Sequence, residues 1–562
     1  MTRPRHPGWW RNAVVYQVYP RSFQDSDGDG IGDIPGITSR LDHLALLGVD
    51  VLWLSPVYRS PMDDNGYDIS DYQDVDPLFG SLGDLDALIG GSHDRGIRLV
   101  MDLVVNHTSD EHPWFVESRD PTSQKRDWYW WRPGRPDAPG GAPNNWESAF
   151  GGPAWEYDEA SSEWYLHVFS PKQPDLDWEN PEVRNAVYSM MRWWVDRGVD
   201  GFRMDVINLI SKDTALPDGP LIWPDRDLAP PLGVLNGPRL HEFLAEMNRE
   251  VGLTDQHLLS VGEMPGSTVA LAREVTDPER RELDMVFTFE HVALDEVPGE
   301  GKWALQDLPL PVLKADLATW QTGLADVGWN SLYWDNHDQP RVVSRFGDDS
   351  PSLRAASAKT LATVLHLHRG TPYVYQGEEL GMTNAGFTRI EQYADLESLN
   401  WARGALARGV PEAEVLHSLA VKSRDNARTP MLWDATEHGG FTSGTPWLPA
   451  NANRSETNAA TAVADPDSVF HHYRRLIELR HHDPVVVDGR FALLLPDDRQ
   501  VWVFTRTLGE DVLLVLANCS SAPTTLDPGA VPDLRGSEVL LPTHGASYSL
   551  VLQPWESRIH RL

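Results

Sequence analysis

Short apolar runs recur along the chain, separated by stretches in which apolar residues return every three or four positions. Val14–Pro20 reads VVYQVYP, β-branched and aromatic, and predicts a strand rather than a helix. Similar runs begin at Val49 (VDVLWLSP), Ile97 (IRLVMDLVVNH), Val199 (VDGFRMD), His257 (HLLSVGE), Leu283 (LDMVFTFE), Trp329 (WNSLYWDNHD) and Thr371 (TPYVYQGEE). Most are nearly continuous, as parallel strands covered on both faces require. Amphipathic segments lie between several of them, such as ITSRLDHLALLG after the first and PEVRNAVYSMMRWWVDRG before the fourth. Eight strands alternating with helices predict an α/β fold, a (β/α)8 TIM barrel. From about Arg490 the pattern changes to short alternating runs, FALLLP, QVWVFTRT and DVLLVLAN, which predict a C-terminal antiparallel β domain.

The spacing of the runs sets the domain plan. Residues 1–107 and 179–485 form the barrel, with an excursion at about 385–460 after the eighth strand. Residues 108–178, rich in Trp, Pro and Gly, read as a subdomain inserted after the third strand, and residues 486–562 as the C-terminal domain. A chain of 562 residues is too long for one compact core, in keeping with this division.

Charge and cysteine content narrow the partners. With 48 basic and 83 acidic residues the net charge is −35, which disfavours nucleic acid and anionic membranes. The single cysteine, Cys519, forbids an internal disulfide and fits a reducing compartment. The start, MTRPRHPGWWRN, carries no apolar signal-like run, and no run is long enough to span a bilayer. The expectation is a cytoplasmic protein. Tryptophan is abundant, at 23 residues, which serves sugar stacking and core filling equally well.

In such a barrel the chemistry sits at the C-terminal ends of the strands. Three carboxylates occur there: Asp205 ends VDGFRMD, Glu263 ends HLLSVGE, and Asp338 closes LYWDNHD. One Asp at a strand end is commonly a helix cap. Three on separate strands point to a shared site. Arg203, two residues before Asp205, shares its face of the strand and would hold it ionised, as a nucleophile requires. Glu263 follows an apolar run, where burial would raise its pKa towards that of a general acid. His107 and His337 also end strands and offer hydrogen bonds to sugar hydroxyls.

The stretch DSDGDGIGD offers a second kind of chemistry. Asp25, Asp27, Asp29, the Ile31 carbonyl and Asp33 match the first five ligand positions of an EF-hand, with Gly30 at the sharp turn. The closing Glu is absent, since Gly36 stands twelfth, and a strand rather than a helix precedes the loop. An oxygen-only set suits Ca2+ or Mg2+ and disfavours zinc. No organic cofactor is called for.

VVYQVYPRSF, DGDGIGD, DDNGYDISDY, VVNHTS, GFRMDVIN, GEMPG, NHDQPR, YQGEELGMTN and SRDNARTP together resemble the motif set of the α-amylase superfamily, glycoside hydrolase family 13. They are most similar to its oligo-1,6-glucosidase and α-glucosidase branch. The resemblance implies a barrel with a small domain after strand three and a C-terminal β-sandwich. It implies Asp205 as nucleophile, Glu263 as general acid/base and Asp338 as transition-state stabiliser of a retaining mechanism, with roughly 5 Å between the Asp205 and Glu263 carboxylates. Asp64, Tyr67, His107, Arg203, His337 and Arg428 match positions lining the first glucose pocket. Tyr67 would stack on the sugar, and Asp64 with Arg428 would hold its far hydroxyls, making the enzyme exo-acting. Phe150 and Gln173 match positions of the inserted domain near the pocket. Val206, directly after the nucleophile, goes with α-1,6 cleavage in this branch. Met431–Trp433 departs from the relatives, which often carry Gln in the middle. The metal loop matches a structural site away from the pocket.

The implied activity is hydrolysis of terminal α-glucose from short saccharides, with α-1,4 bonds and sucrose as further substrates. A trehalose-6-phosphate hydrolase and a sucrose isomerase resemble the same branch. So do non-catalytic ancillary subunits of amino-acid transporters, but these carry an N-terminal membrane helix that the sequence does not show. Oligomeric state is left open.

Overall fold

In the computed structural model, which describes residues 6–137, 141–219, 233–545 and 547–562, all eight apolar runs form strands of one parallel sheet. The strands are β1 (Val15–Val18), β2 (Val51–Leu54), β3 (Arg98–Leu103), β4 (Gly201–Met204), β5 (Leu259–Glu263), β6 (Met285–Phe287), β7 (Ser331–Leu332) and β8 (Thr371–Tyr375). Neighbours follow chain order, and β8 returns to pair with β1. A parallel bridge from Val286 to Asn330 joins β6 to β7 and closes the barrel.

Alternation along each strand explains why the runs read as continuous. Val15, Val51, Trp53, Val100, Val261, Phe287 and Tyr373 pack with one another inside the barrel. Their neighbours Tyr16, Leu52, Leu54, Leu99, Met101, Val286 and Val374 join the larger core beneath the helices. Both faces are buried, so both must be apolar. The inward parity carries Gln17, Asp102, Arg203 and Glu263 to the upper end of the same interior. A buried polar side chain must find partners, and these four are where the barrel interior turns from packing to chemistry.

Helices form where caps and periodicity agree. Pro181–Arg197 starts with the Asn180 side chain accepting from the Glu182 amide and ends on Gly198 in the left-handed region. The segment after β1 is split into Ile34–Ser39 and Leu41–Leu47, with Arg40 between them. Between β3 and β4 a small antiparallel sheet joins Trp131–Arg132, Glu163–Leu166 and Trp155–Asp158. Among the described residues eight tryptophans, including Trp53, Trp130, Trp155 and Trp178, are fully buried, so much of the tryptophan fills cores.

After β8 the chain makes helices Leu396–Ala407 and Glu412–Lys422, then a single turn, Asp425–Arg428, that returns to the barrel mouth. The C-terminal strands β9 (Arg490–Leu494), β10 (Val501–Leu508), β11 (Asp511–Asn518), β12 (Glu538–Val539) and β13 (Ser557–Arg561) form an antiparallel sheet in the order β9-β10-β11-β13-β12. Buried Lys314, on barrel helix Leu310–Gly323, donates to the carbonyls of Leu495, Asp498 and Val501 and ties this sheet to the barrel. Among the described residues no helix is long and apolar enough to cross a membrane.

Candidate active site

Register across β3 and β4 sets Asp102 opposite Arg203. Arg203 Nη1 lies 2.7 Å from Asp102 Oδ1 and 2.6 Å from Asp205 Oδ1, and its Nη2 lies 2.7 Å from Glu263 Oε1. One buried guanidinium therefore holds three carboxyl groups, not Asp205 alone. Burial pushes the Asp205 carboxyl well above its ordinary value; Glu263 and Asp102 push the same way, and Arg203 opposes. The expectation that Arg203 keeps Asp205 ionised thus misses the larger opposing effect of desolvation in the free enzyme. Carboxyls this close do not readily ionise together, so burial beside Glu263 favours the neutral form of Asp205 in the free enzyme. An acid and a nucleophile beside one another is what that pair can become.

Val206 follows Asp205 with φ 35° and ψ 43°. A β-branched residue rarely adopts this region, and strain of this kind persists only where the surroundings enforce it. The conformation aims the Val206 N–H at Glu263 Oε2, 2.9 Å away. Its side chain packs with Leu209, Val234, Trp146 and Trp155. The strain is the cost of turning one amide onto a working carboxylate.

Asp338 lies across the pocket. His337 Nε2 is 3.0 Å from its Oδ2, and Arg428 Nη2 is 2.7 Å from its Oδ1. Burial works against its charge, but His337, Arg424 and Arg428 hold its carboxyl well below the usual range. Its side chain remains 29% accessible.

Tyr67 hydrogen-bonds Asp102 Oδ2 at 3.1 Å and His337 Nε2 at 2.7 Å, and one face of its ring stacks on His337 at 5.3 Å. At the pocket end the two arginines meet different carboxylates. Asp64 pairs with Arg424, at 3.3 Å, rather than with Arg428, which turns to Asp338 and to the His337 carbonyl. Asp395 fixes both arginines through one oxygen, Oδ1, which lies 2.6 Å from Arg424 and 3.5 Å from Arg428. Burial pushes Asp64 up to about 7 against the pull of both guanidinium groups.

The inserted segment contributes support more than contact. Gln173 is wholly buried, and its amide nitrogen lies 3.2 Å from Asp64 Oδ2 and 3.3 Å from His107 Nε2. His107 is pushed down to about 4 by burial and stays neutral, its Nε2 3.1 Å from the Tyr67 carbonyl. Phe150 lies under the Arg424 guanidinium and edge-on to Phe169.

Several site residues escaped the sequence reading: Asp102, Arg424, Asp395 and Gln17. Signals existed for two of them. Asp102 has the same inward parity as the strand-end carboxylates, and Arg424 lies four residues before Arg428, on the same side of one helical turn.

At the acidic loop the carboxylate oxygens of Asp25, Asp27 and Asp29 come within 4.8 Å of one another. Asp33 stands apart from this group: its oxygens accept from Ser26 and from the Gly36 amide, capping helix Ile34–Ser39. The Ile31 amide donates to Asp29, and Gly30 turns at φ 96° with its amide on Asp25. Burial works against the Asp25 charge, but hydrogen bonds from Thr442 and from loop amides hold its carboxyl below the ordinary value. Asp29 is pushed up by burial and by the neighbouring Asp27, Asp25 and Asp33. An added cation would relieve that crowding, so the residues fit a hard metal ion.

The family model described as Alpha amylase, catalytic domain, matches residues 17–489. An oligo-1,6-glucosidase of Halalkalibacterium halodurans is 53% identical over 98% of both chains. Among solved structures, a trehalose-6-phosphate hydrolase of Bacillus licheniformis superposes with a TM-score of 0.91 at 46% identity, over 99% of this chain and 100% of its own. An isomaltulose synthase of Klebsiella sp. LX3 gives 0.93 at 40% identity, with the same coverage. With its closed barrel and a carboxyl trio at the strand ends, the chain belongs to the α-amylase family, glycoside hydrolase family 13.

Proposed function

We propose that the protein is a retaining, exo-acting α-glucosidase that removes terminal α-linked glucose from short saccharides, with α-1,6 bonds preferred. The observation that carries this is the placing of Asp205 and Glu263 on one guanidinium, with the Asp338 anion held by Arg428 and, through His337 and Tyr67, tied to the same network. In this reading Glu263 protonates the glycosidic oxygen while Asp205 attacks the anomeric carbon. Water, deprotonated by Glu263, then releases glucose with its configuration kept. Asp338 binds ring hydroxyls, and Asp64 with Arg424 and Arg428 ends the pocket after one glucose unit. The oligo-1,6-glucosidase relative and Val206 favour the α-1,6 linkage.

A trehalose-6-phosphate hydrolase is the second reading, favoured by the likeness to the Bacillus licheniformis structure. Such an enzyme needs a cation for the phosphate. Arg424 and Arg428 are both engaged by carboxylates, which favours the first reading. A panel of isomaltose, maltose, sucrose, trehalose, trehalose-6-phosphate and a nitrophenyl α-glucoside tests it, with products identified. The expected order puts isomaltose first, with free glucose as the product. Preference for the phosphorylated sugar would overturn the reading, and conversion of sucrose to an isomer would place the protein with the isomerases. In the same panel Val206→Thr is expected to lower the isomaltose-to-maltose ratio of kcat/KM by about 10-fold, within the range one side-chain contact supplies. An unchanged ratio removes Val206 from the specificity argument.

The loop is proposed to hold a structural Ca2+, with Mg2+ as the alternative, at Asp25, Asp27 and Asp29 with the Ile31 carbonyl, while Asp33 braces the loop as the cap of helix Ile34–Ser39. Chelation is expected to lower Tm by roughly 2–5 °C while leaving activity at 25 °C nearly intact, since the ion stabilises the native state by mass action. Activity lost on chelation and restored by metal, with Tm unmoved, would contradict a purely structural role. A cytoplasmic location is part of the proposal, on the strength of the lone cysteine.

A further inference from the structure

Gln17 is an amide inside the otherwise apolar and aromatic strand β1, and it is 1% exposed. Burying an amide without partners costs a few kcal/mol, so its partners matter. Its Nε2 lies 2.8 Å from Nδ1 of His337 and 3.1 Å from the Ser55 hydroxyl. The other ring nitrogen, Nε2 of His337, faces Asp338 Oδ2 at 3.0 Å and the Tyr67 hydroxyl at 2.7 Å. Two near-parallel rings lie beside the imidazole, Tyr67 at 5.3 Å and Tyr19 at 6.0 Å, with Trp53 edge-on at 6.1 Å.

The hydrogen-bonding roles follow from this frame. An ionised Asp338 only accepts, so Nε2 of His337 carries a proton. Nδ1 meets an N–H donor, so it carries the lone pair. An imidazolium would set an Nδ1–H against the amide N–H. The charged groups around the ring are Asp338 at Nε2, Asp102 behind the Tyr67 hydroxyl, and Arg428, whose Nε holds the His337 carbonyl at 2.9 Å. None of them offers an acceptor to Nδ1.

We propose that Gln17 is a positioning residue that fixes His337 as the neutral, Nε2-protonated tautomer, so that its N–H stays aimed at Asp338 and at the sugar hydroxyls bound beside it. Ser55 contributes by accepting the second amide hydrogen. This inference rests on the glucosidase reading for its catalytic consequence, but the tautomer itself is a property of the free enzyme.

The test replaces the donor by an acceptor. In Gln17→Glu a carboxylate oxygen faces Nδ1 and draws a proton onto it. 15N spectra of histidine-labelled protein, with the His337 signals identified by their loss in His337→Gln, read the state of each nitrogen directly. The parent is expected to show Nδ1 bare and Nε2 protonated at the pH of the activity assay. Gln17→Glu is expected to protonate Nδ1 and to lower kcat/KM on the preferred substrate by about 10- to 100-fold, the usual cost of disturbing a partner behind a working histidine. Gln17→Met, which has neither group, is expected to give mixed tautomers and an intermediate loss, and it serves if Gln17→Glu does not fold. An Nδ1-protonated parent would overturn the proposal, as would a tautomer unchanged in both variants. So would a changed tautomer with kcat/KM intact. A fall in Tm without a tautomer change would reduce Gln17 to packing. If the parent hydrolyses no α-glucoside, the spectra alone decide the role of Gln17, and only the glucosidase reading fails.

Discussion

Asp205→Asn is expected to remove turnover almost entirely, by about 10⁴-fold or more in kcat, while the fold survives. An amide cannot attack the anomeric carbon, and nothing else in the site replaces it as nucleophile. The stability side of this prediction comes from burial. Desolvation raises the folded-state pKa of Asp205 above its unfolded value, with Glu263 adding to the shift. Between those two values the folded protein binds more protons than the unfolded chain, so this group makes stability fall as pH rises. A neutral amide of the same shape escapes that effect, and the Arg203 guanidinium keeps Asp102 and Glu263 as partners. Tm at pH 7 should therefore match or exceed that of the parent. Kinetics and thermal melts on the same preparation check both halves. A well-folded Asp205→Asn with parental turnover would sink the assignment of the nucleophile.

Glu263→Gln is expected to separate the two halves of the reaction. Disaccharides need a proton on the departing oxygen, and their hydrolysis should fall by roughly 10³-fold. A nitrophenyl α-glucoside leaves without that help, so the glucosyl-enzyme should still form and accumulate as a burst. Azide needs no general base and should restore turnover, giving α-glucosyl azide. The anomeric configuration of that product reports the mechanism: the α-anomer requires two displacements, whereas β-glucosyl azide would mean direct inversion. Azide with no effect on rate or product would remove Glu263 from the acid/base role. The Val206 amide, which donates to the Glu263 carboxylate through a strained turn, can do the same to the carbonyl oxygen of the variant, so the side chain should keep its place.

The barrel was readable because its signals are local. VYQV, VLWL and RLVMDL are buried on both faces, and a continuous apolar run states that fact residue by residue. Strand-end carboxylates were readable for the same reason, since a strand's end is a place in the sequence. The pairing of Arg203 with Asp205 needs only a two-residue step along β4. Its pairing with Asp102 and Glu263 needs the registers of β3 and β5 against β4, which no single run encodes. The pairing of Asp64 with Arg424 has the same origin. Asp64 and Arg424 are 360 residues apart, and which of two arginines four residues apart reaches Asp64 depends on how the excursion after β8 docks.

The acidic loop divides in the same way. The oxygen-rich spacing and the absent Glu at Gly36 could be read from the letters. That Asp33 caps the next helix while Asp25, Asp27 and Asp29 draw together depends on the path of the backbone. Sequence alone determined the parallel barrel, the place of its mouth and the residue types that gather there, because steric periodicity and strand parity act over a few neighbouring residues. Only the tertiary structure decided which carboxyl burial presses towards its neutral form, which arginine meets Asp64 and which nitrogen of His337 faces Gln17. Desolvation and charge act through space, between groups that the chain brings together from hundreds of residues apart.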